Sequence, residues 1–154
     1  MSANPTTAGT TVPSLADVAV GDELPALDIA VDRARLVHYA GASGDRNPIH
    51  WDADFATGVG LPDVIAHGMF TMGAAAECVG AWCGDPGRIV QYGTKFVGMV
   101  VVPREEGATV HVTGKVTKVD EASGQVTVEL TVTCEGRKVL GRALAVVDLA
   151  PAGE

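Results

Sequence analysis

Hydrophobic and polar positions alternate most regularly in the C-terminal half of the chain. Residues 125–134 carry valines, a leucine and a cysteine on one side and polar residues on the other, and residues 109–119 repeat the pattern less regularly. A period of two is typical of β-strands with one buried face. Residues 120–124 and 135–136 have turn composition and predict hairpins, and residues 138–149 predict a largely apolar closing strand. The C-terminal half is therefore predicted to be an antiparallel meander.

Two further strands are predicted from weaker patterns. Residues 89–101 form a β-prone run, which Gly93 and Gly98 are expected to interrupt with bends or bulges. Residues 27–30 follow a turn-like segment and predict a short edge strand.

Residues 67–82 predict a helix without a polar face, in which Glu77 is the one charged residue. A helix that is apolar all round is expected to be surrounded on nearly every side. Gly84 begins a Gly-Asp-Pro-Gly sequence that predicts the end of this helix. An earlier helix is predicted from an N-cap at Asp32 to about Gly41.

One apolar helix followed by a meander of long strands predicts an α+β fold in which a curved antiparallel sheet wraps around the helix. The length of 154 residues suits a single domain, which we expect to span residues 15–150. Residues 1–14 are predicted to be a flexible N-terminal tail and residues 151–154 a C-terminal tail. Sheet edges and an incompletely covered helix end would remain, so a dimer is expected.

The chemistry that this fold would hold is concentrated in residues 39–52. Asp45, Asn47 and His50 bring a carboxylate, an amide and an imidazole into six positions, on a segment that Gly44 and Pro48 keep from being helical. A carboxylate beside an imidazole can act as a general acid–base pair near neutral pH. From the spacing alone, an Asp-Asn-Pro surface turn followed by an unrelated histidine is an equal alternative.

A family resemblance favours the acid–base interpretation. The motif Gly44-Asp45-x-Asn47-Pro48-x-His50-x-Asp52 is followed in order by Ala66-His67-Gly68-Met69-Phe70-Thr71-Met72-Gly73, Gly84-Asp85-Pro86-Gly87, Lys95-Phe96 and Val101-Val102-Pro103. This order resembles the MaoC-like (R)-specific enoyl-thioester hydratases and dehydratases, over roughly residues 18–149. Within that family the chain is most similar to the catalytic B subunits of mycobacterial-type fatty-acid synthase II dehydratases. The resemblance implies a hot-dog fold.

The resemblance also implies a reaction and a set of site residues. Asp45 and His50 would interconvert (3R)-hydroxyacyl and trans-2-enoyl thioesters, with the division of labour between them left open. The first turn of a helix has free amides and the positive end of the helix dipole, so the amide of Gly68 is the expected oxyanion hole. Asn47 would support the pair by fixing the loop or by hydrogen bonding to one member, or would be only a turn residue. His67 is expected to cap the helix entrance or to pack there rather than to act directly.

Other kinds of site are less consistent with the sequence. A metal site from Asp45, His50 and Asp52 has too few further ligands nearby, so we expect no metal and no cofactor apart from the phosphopantetheine that carries the substrate. Cys78, Cys83 and Cys134 form no metal-binding spacing and are predicted to be buried small hydrophobic residues. The remaining histidines, at positions 38 and 111, are predicted to lie on the surface.

Charge narrows the range of partners. Eleven basic and nineteen acidic residues give a net charge of −8, which argues against nucleic acid. Acyl carrier protein and coenzyme A are anionic too, so docking would need a local basic patch drawn from Arg88, Lys95, Arg104, Arg137, Lys138 and Arg142. No signal peptide and no membrane-length apolar run is visible, and a soluble cytoplasmic protein is expected.

Three functions remain open at this point. The first is a (3R)-hydroxyacyl-thioester dehydratase of type II fatty-acid synthesis that acts on acyl carrier protein substrates. The second is a coenzyme A-linked (R)-specific enoyl hydratase, which uses the same chemistry. The third, from another class, is a non-catalytic subunit that binds acyl chains or supports a partner. Acyl chain length, and the choice between a homodimer and a heterodimer with a non-catalytic hot-dog subunit, also remain open.

Overall fold

The alternating residues build a five-stranded antiparallel sheet. The computed structural model describes residues 12–150. Its strands are β1 (Glu23–Val31), β2 (Ile89–Phe96), β3 (Ala108–Asp120), β4 (Gln125–Cys134) and β5 (Arg137–Asp148), and its helices are α1 (Arg33–Ser43), α2 (Ala53–Gly58) and α3 (Gly68–Cys83). The strand order in the sheet is β1-β3-β4-β5-β2. Short 3₁₀ turns lie at Leu15–Asp17, Pro48–His50 and Pro86–Arg88. The hot-dog arrangement and the α+β class are confirmed.

The inner face of the sheet forms the hydrophobic core against α3. Val112, Val128 and Val132 on neighbouring strands are fully buried, while the threonines that alternate with them lie toward the outer face. This is the expected result of a period-two pattern on a sheet with one covered face. The predicted bounds of β4 are correct, and β3 is longer than predicted by one residue at each end.

The two edge strands differ from their predictions. β1 begins at Glu23 rather than at Leu27, because Glu23 and Leu24 already pair with β3 before a register shift. β2 ends at Phe96 and does not continue to Val101. The amides of Val97 and Gly98 both donate to the carbonyl of Val139, which breaks the regular ladder.

Helix α3 runs along the inner face of the sheet, and Gly84 ends it in the left-handed conformation with a φ of 74°. Thr71, Ala75, Cys78 and Val79 are buried on the side toward the sheet. The prediction that this helix is surrounded on nearly every side is wrong for the single chain, because the sheet covers one side and Met69 is 59% exposed.

Helix α1 leads into the segment that carries the candidate chemistry. The Asp32 carboxylate accepts a hydrogen bond from the amide of Arg35, as predicted for an N-cap, and the helix ends at Ser43 rather than near Gly41. Gly44 then adopts a φ of 79° and turns the chain out of the helix. Asp45 follows Gly44 directly, so the end of α1 determines where the Asp45 carboxylate lies.

The predicted tails fall mostly outside the described residues, which exclude 1–11 and 151–154. Within residues 12–150, all three cysteines are buried and none forms a disulfide, as predicted. Over the same residues, none of the helices combines the length and apolar character that a membrane crossing requires.

Candidate active site

The carboxylate of Asp45 is oriented by its own loop. Its Oδ1 atom accepts a hydrogen bond from the amide of Asn47 at 3.2 Å, and the Asn47 side chain accepts one from the amide of Ile49 at 3.3 Å. Both are local side chain–backbone bonds of the kind that stabilise turns and helix caps. The Asn47 side chain therefore caps the 3₁₀ turn Pro48–His50 and contacts neither member of the predicted pair through a hydrogen bond.

His50 lies at the end of that turn, 7% exposed. Its Nδ1–H donates to the carbonyl of Ile65 at 2.7 Å, and this bond leaves Nε2 as the acceptor nitrogen of the neutral ring. Nε2 faces Oδ2 of Asp45 at 3.9 Å. The separation is too long for a direct hydrogen bond, so a hydroxyl group or a water molecule can be held by both atoms.

His67 lies directly behind this pair, 2% exposed. Its Nε2–H donates to the backbone carbonyl of Asp45 at 3.0 Å. Its ring stacks on the ring of His50, with centroids 3.7 Å apart and planes at 22° to each other. The ring of Tyr39 packs edge-on against the His67 ring, with centroids 4.8 Å apart. His67 is thus a neighbour of both predicted catalytic residues and fixes the backbone from which one of them projects.

The protonation state of His67 follows from its burial. Desolvation lowers the pKa of this imidazole below its usual value of about 6.5, and the nearby His50 lowers it further, while the bond to the Asp45 carbonyl opposes the shift. Among the described residues, its buried Nδ1 atom has no hydrogen-bond partner. Near neutral pH the ring is therefore a neutral donor.

The same three residues bring possible metal ligands together, since Asp45, His50 and His67 offer atoms within 4.8 Å of one another. His67 is the third member of this group, and Asp52, considered from the sequence, is not, because the Asp52 carboxylate caps α2 through the amide of Phe55. Each histidine donates one ring N–H to a backbone carbonyl, an arrangement that is also common for histidines that bind a metal through the other nitrogen. The expectation that no metal binds here therefore stays a prediction.

The first turn of α3 points at the same region. His67 occupies the N-cap position and Gly68 is the first helical residue, so the amide of Gly68 has no acceptor within the helix. A Cβ atom at Gly68 would lie 3.1 Å from the ring of Phe96. A side chain here would press on the half-exposed Phe96 ring, so glycine gives both this ring and a ligand a close approach to the backbone.

The site is open on one side in the single chain. The Asp45 side chain is 55% exposed, and beside Gly68 the apolar side chains of Phe96 and Met69 are 53% and 59% exposed. A carboxylate, an imidazole and free amides thus lie next to an uncovered apolar surface.

Several contacts in the site could not be read from the sequence. The carbonyl of Ile65, which selects the His50 tautomer, comes from a segment that carries no motif. The indole N–H of Trp51 donates to the carbonyl of Arg46 and closes the segment 46–51, which begins directly after Asp45. The packing of Tyr39 against His67 and Phe70 depends on the fold.

The remaining candidates lie outside the site. The Cys78 thiol donates to the carbonyl of Pro25, and burial raises its pKa, so it is not an activated nucleophile. His38 and His111 are both exposed, as predicted. His111 pairs with Asp28 on the outer face of the sheet.

Comparison with known proteins adds the family context. The family model for the MaoC like domain matches residues 17–134. The chain is 35% identical over 119 residues to the (R)-specific enoyl-CoA hydratase of Rhodospirillum rubrum, a match that covers 76% of this chain and 80% of that relative. It is 37% identical over 83 residues to 3-hydroxyacyl-thioester dehydratase X of Mycobacterium tuberculosis, which covers 54% of this chain and 29% of that protein.

A solved structure described as a MaoC-like dehydratase superposes with a TM-score of 0.88 at 43% sequence identity, covering 90% of this chain and 43% of that one. The chain therefore spans less than a third of the mycobacterial relative and less than half of the solved structure.

Proposed function

This chain belongs to the MaoC-like dehydratase family, and on that premise we propose that it catalyses the reversible hydration of trans-2-enoyl thioesters to (3R)-hydroxyacyl thioesters. The observation that carries the proposal is the opposition of Asp45 Oδ2 and His50 Nε2 at 3.9 Å. Two proton acceptors at this spacing can share one water molecule, or the hydroxyl group that leaves as water.

The chemistry requires one proton to be removed and one to be delivered. In hydration, the water oxygen bonds to C3 while the pair takes a proton from the water, and C2 receives a proton from the pair. Dehydration follows the same path backwards, so the pair takes the C2 proton and returns a proton to the leaving hydroxyl. Asp45 and His50 act as one unit, because the water molecule or hydroxyl group lies between their facing atoms.

Negative charge develops on the thioester carbonyl oxygen during both directions. The amide of Gly68, at the positive end of α3, is the donor that we propose for this oxygen. One preorganised donor of this kind lowers a barrier by about 3 kcal/mol. His67 supports the reaction as a neutral neighbour, because a second positive charge would oppose protonation of His50. No metal or resident cofactor takes part in the proposed reaction.

The finer proposal is a (3R)-hydroxyacyl dehydratase of type II fatty-acid synthesis, whose substrate is carried on the phosphopantetheine of acyl carrier protein. Similarity to a relative named 3-hydroxyacyl-thioester dehydratase supports this direction. Similarity to a relative named (R)-specific enoyl-CoA hydratase supports the alternative, in which coenzyme A carries the substrate. Phosphopantetheine is common to both carriers, so the same residues would serve either.

We further propose that a second hot-dog unit closes the site, as a copy of this chain or as a different subunit. β2 is an edge strand of the sheet, and Val90, Val97 and Met99, in or just after this strand, are more than half exposed, like Phe96 and Met69. Unpaired edge strands and apolar patches of this kind are usually covered in an assembly. Exclusion of water by the second unit would also strengthen the electrostatic interactions within the site.

Substitution of the pair tests the catalytic role. We expect Asp45→Asn and His50→Ala, alone and combined, to reduce hydration of crotonyl-coenzyme A by at least about 100-fold, since acid–base groups contribute on this scale. Asp28→Asn with His111→Gln is the matched control, because this exposed Asp–His pair lies on the outer face of the sheet. Unchanged turnover in the Asp45 and His50 variants would refute catalysis and favour a non-catalytic acyl-binding or partner subunit.

A further inference from the structure

Arg142 has a backbone conformation that is unusual for its residue type. It lies within β5, yet its φ is 49°, in the left-handed region. Its strand contains an extra residue at this point: between paired positions, Gly141 and Arg142 oppose the single residue Thr131 of β4, and the register with β2 shifts at the same place. This is a β-bulge, a feature that bends a strand and redirects a side chain.

The choice of residue at the bulge is informative. Glycine adopts a positive φ without steric cost, whereas an arginine there is strained. The glycine of the bulge is at the neighbouring position, where a Cβ atom on Gly141 would lie 2.9 Å from the Val97 side chain. The lack of room for a Cβ atom therefore explains the glycine at position 141, whereas the positive φ disfavours an arginine at position 142. The fold therefore does not require an arginine at position 142.

Arg142 lies among other cations. Lys95 on β2 pairs with Gly141, Lys138 on β5 pairs with Thr133, and Arg137 begins β5 at the hairpin. All four side chains are exposed, and none has an ion-pair partner within residues 12–150. Four of the eleven basic residues of a chain with a net charge of −8 thus collect at one edge of the sheet. We refer to Lys95, Arg137, Lys138 and Arg142 as the β5 patch.

Acidic residues do not neutralise this patch. By strand register, the nearest carboxylates are those of Glu129, which lies opposite Leu144, and Glu135, in the turn before Arg137. The net charge around the β5 patch therefore remains positive, whereas the net charge of the chain as a whole is negative.

The β5 patch borders the candidate active site. Phe96, the residue after Lys95, packs its ring against Gly68 at the start of α3. The Thr94 hydroxyl donates to the carbonyl of Gly141 at 3.0 Å and fastens β2 to the bulge. One short stretch of β2 therefore connects Lys95 of the patch with Phe96 and the proposed oxyanion donor at Gly68.

We propose that the β5 patch is the docking surface for an acidic carrier protein that presents the thioester on a flexible phosphopantetheine arm. This rests on the proposed function and names its partner. The cations are spread over two strands, with Lys138 and Arg142 on the order of 10 Å apart along β5, and they are exposed rather than enclosed. Such an arrangement matches several carboxylates on a protein surface and steers its approach, whereas recognition of one phosphate favours a convergent pocket.

Arg142→Gly separates docking from folding, because glycine relieves the backbone strain while it removes the charge. We expect its thermal unfolding midpoint to stay unchanged or to rise. The KM for an enoyl thioester of purified acyl carrier protein should rise about two- to fivefold, as expected for the loss of one exposed ion pair. For the same enoyl group on coenzyme A, KM should stay within about twofold, because no carrier surface is lost. Lys95→Glu combined with Arg142→Gly should raise the KM for the carrier-protein substrate further than Arg142→Gly alone.

Lys115→Glu is the matched control, since Lys115 is an exposed lysine on β3, outside the patch. An unchanged KM for the carrier substrate in Arg142→Gly would overturn the proposal, as would an equal rise with both carriers. If the wild type turns over neither substrate, both alone and with an added hot-dog subunit or a long-chain substrate, the proposed function fails, and the docking proposal is decided by titration with acyl carrier protein alone. Salt-sensitive binding that Lys95→Glu weakens would support docking, and equal or absent binding would refute it.

Discussion

His50 and His67 are both buried imidazoles, but their hydrogen bonds give them different chemistry. The Nδ1–H of His50 donates to a carbonyl, which leaves Nε2 facing Asp45, while His67 donates through Nε2 and keeps its other nitrogen buried. One ring can therefore exchange a proton with a substrate and the other cannot. The motif residues predicted the Asp45–His50 pair correctly as neighbours. The place of His67 depended on a contact across 22 residues, which spacing does not encode.

The amide of Gly68 can be tested by removing its proton. Proline is tolerated at the first position of a helix, and His67 has φ −59° and ψ 135°, which suits a residue before proline. We expect Gly68→Pro to lower kcat by about 100-fold relative to Gly68→Ala, since one oxyanion donor contributes on this scale.

Gly68→Ala is the control for steric effects, because it keeps the amide proton but places a Cβ atom near Phe96. Equal kcat values for the two variants, both folded, would contradict the role of the amide.

The lowered pKa of His67 predicts how stability depends on pH. The folded state resists protonation of this ring, so below the unfolded value of about 6.5 the unfolded state binds more protons. The free energy of unfolding is expected to fall as the pH drops from 6.5 to 5. His67→Phe keeps an aromatic ring against His50 but cannot be protonated, so its stability should fall less steeply.

Urea unfolding between pH 6.5 and 5 measures how the free energy of unfolding changes with pH in the wild type and in His67→Phe. His38→Phe, at an exposed histidine, should keep the wild-type slope. A slope in His67→Phe as steep as in the wild type would contradict a buried, neutral His67.

At the scale of elements, α3 and β2 are joined by a specific bond. The Tyr92 hydroxyl of β2 donates to the carbonyl of Met72 in α3 at 3.0 Å, and burial raises the pKa of Tyr92 to about 12. We expect Tyr92→Phe to lower the free energy of unfolding by about 1 kcal/mol at pH 8, the usual net value of such a bond. Urea unfolding measures this difference.

The same hydroxyl group predicts that the free energy of unfolding decreases at alkaline pH. Because the folded pKa exceeds the unfolded value of about 10, the unfolded state loses its proton first, and the wild type should lose stability between pH 10 and 12. The gap between wild type and Tyr92→Phe should therefore narrow by pH 11. Tyr39→Phe is the control, because within residues 12–150 its hydroxyl has no hydrogen-bond partner. A gap that stays constant with pH would refute the account of Tyr92.

The elements that sequence predicted best are those whose pattern is local. β4 was predicted to the residue, because its valines and threonines alternate without interruption. β2 was predicted too long, since its end depends on two amides that share the carbonyl of Val139. The strain at Arg142 was also invisible, because a bulge requires the register of neighbouring strands.

At the scale of the whole molecule, the open apolar surface beside the site predicts an assembly. Val90 and Met99 are each 53% exposed near the β2 edge. We expect Val90→Asp with Met99→Asp to shift the molar mass in light scattering from a dimer toward a monomer, because a buried carboxylate is costly. Val20→Asp, an exposed valine before β1, should leave the mass unchanged.

A wild-type mass of one chain at all concentrations would contradict self-pairing and would leave a different subunit as the second unit. The sequence predicted a need for pairing from the sheet edges and the apolar helix. It did not identify the partner, because the side chains at this edge would suit a copy or a related chain equally.

Hydration of crotonyl-coenzyme A by the purified protein, followed by chiral analysis of the product, is the decisive measurement for catalysis by Asp45 and His50. We expect loss of the enoyl absorbance and formation of the (R)-3-hydroxy thioester in large excess, with both largely abolished in Asp45→Asn. Formation of the (S)-product, or of the (R)-product at an equal rate in Asp45→Asn, would contradict catalysis by this pair. So would the absence of turnover both alone and with an added hot-dog subunit or a long-chain substrate.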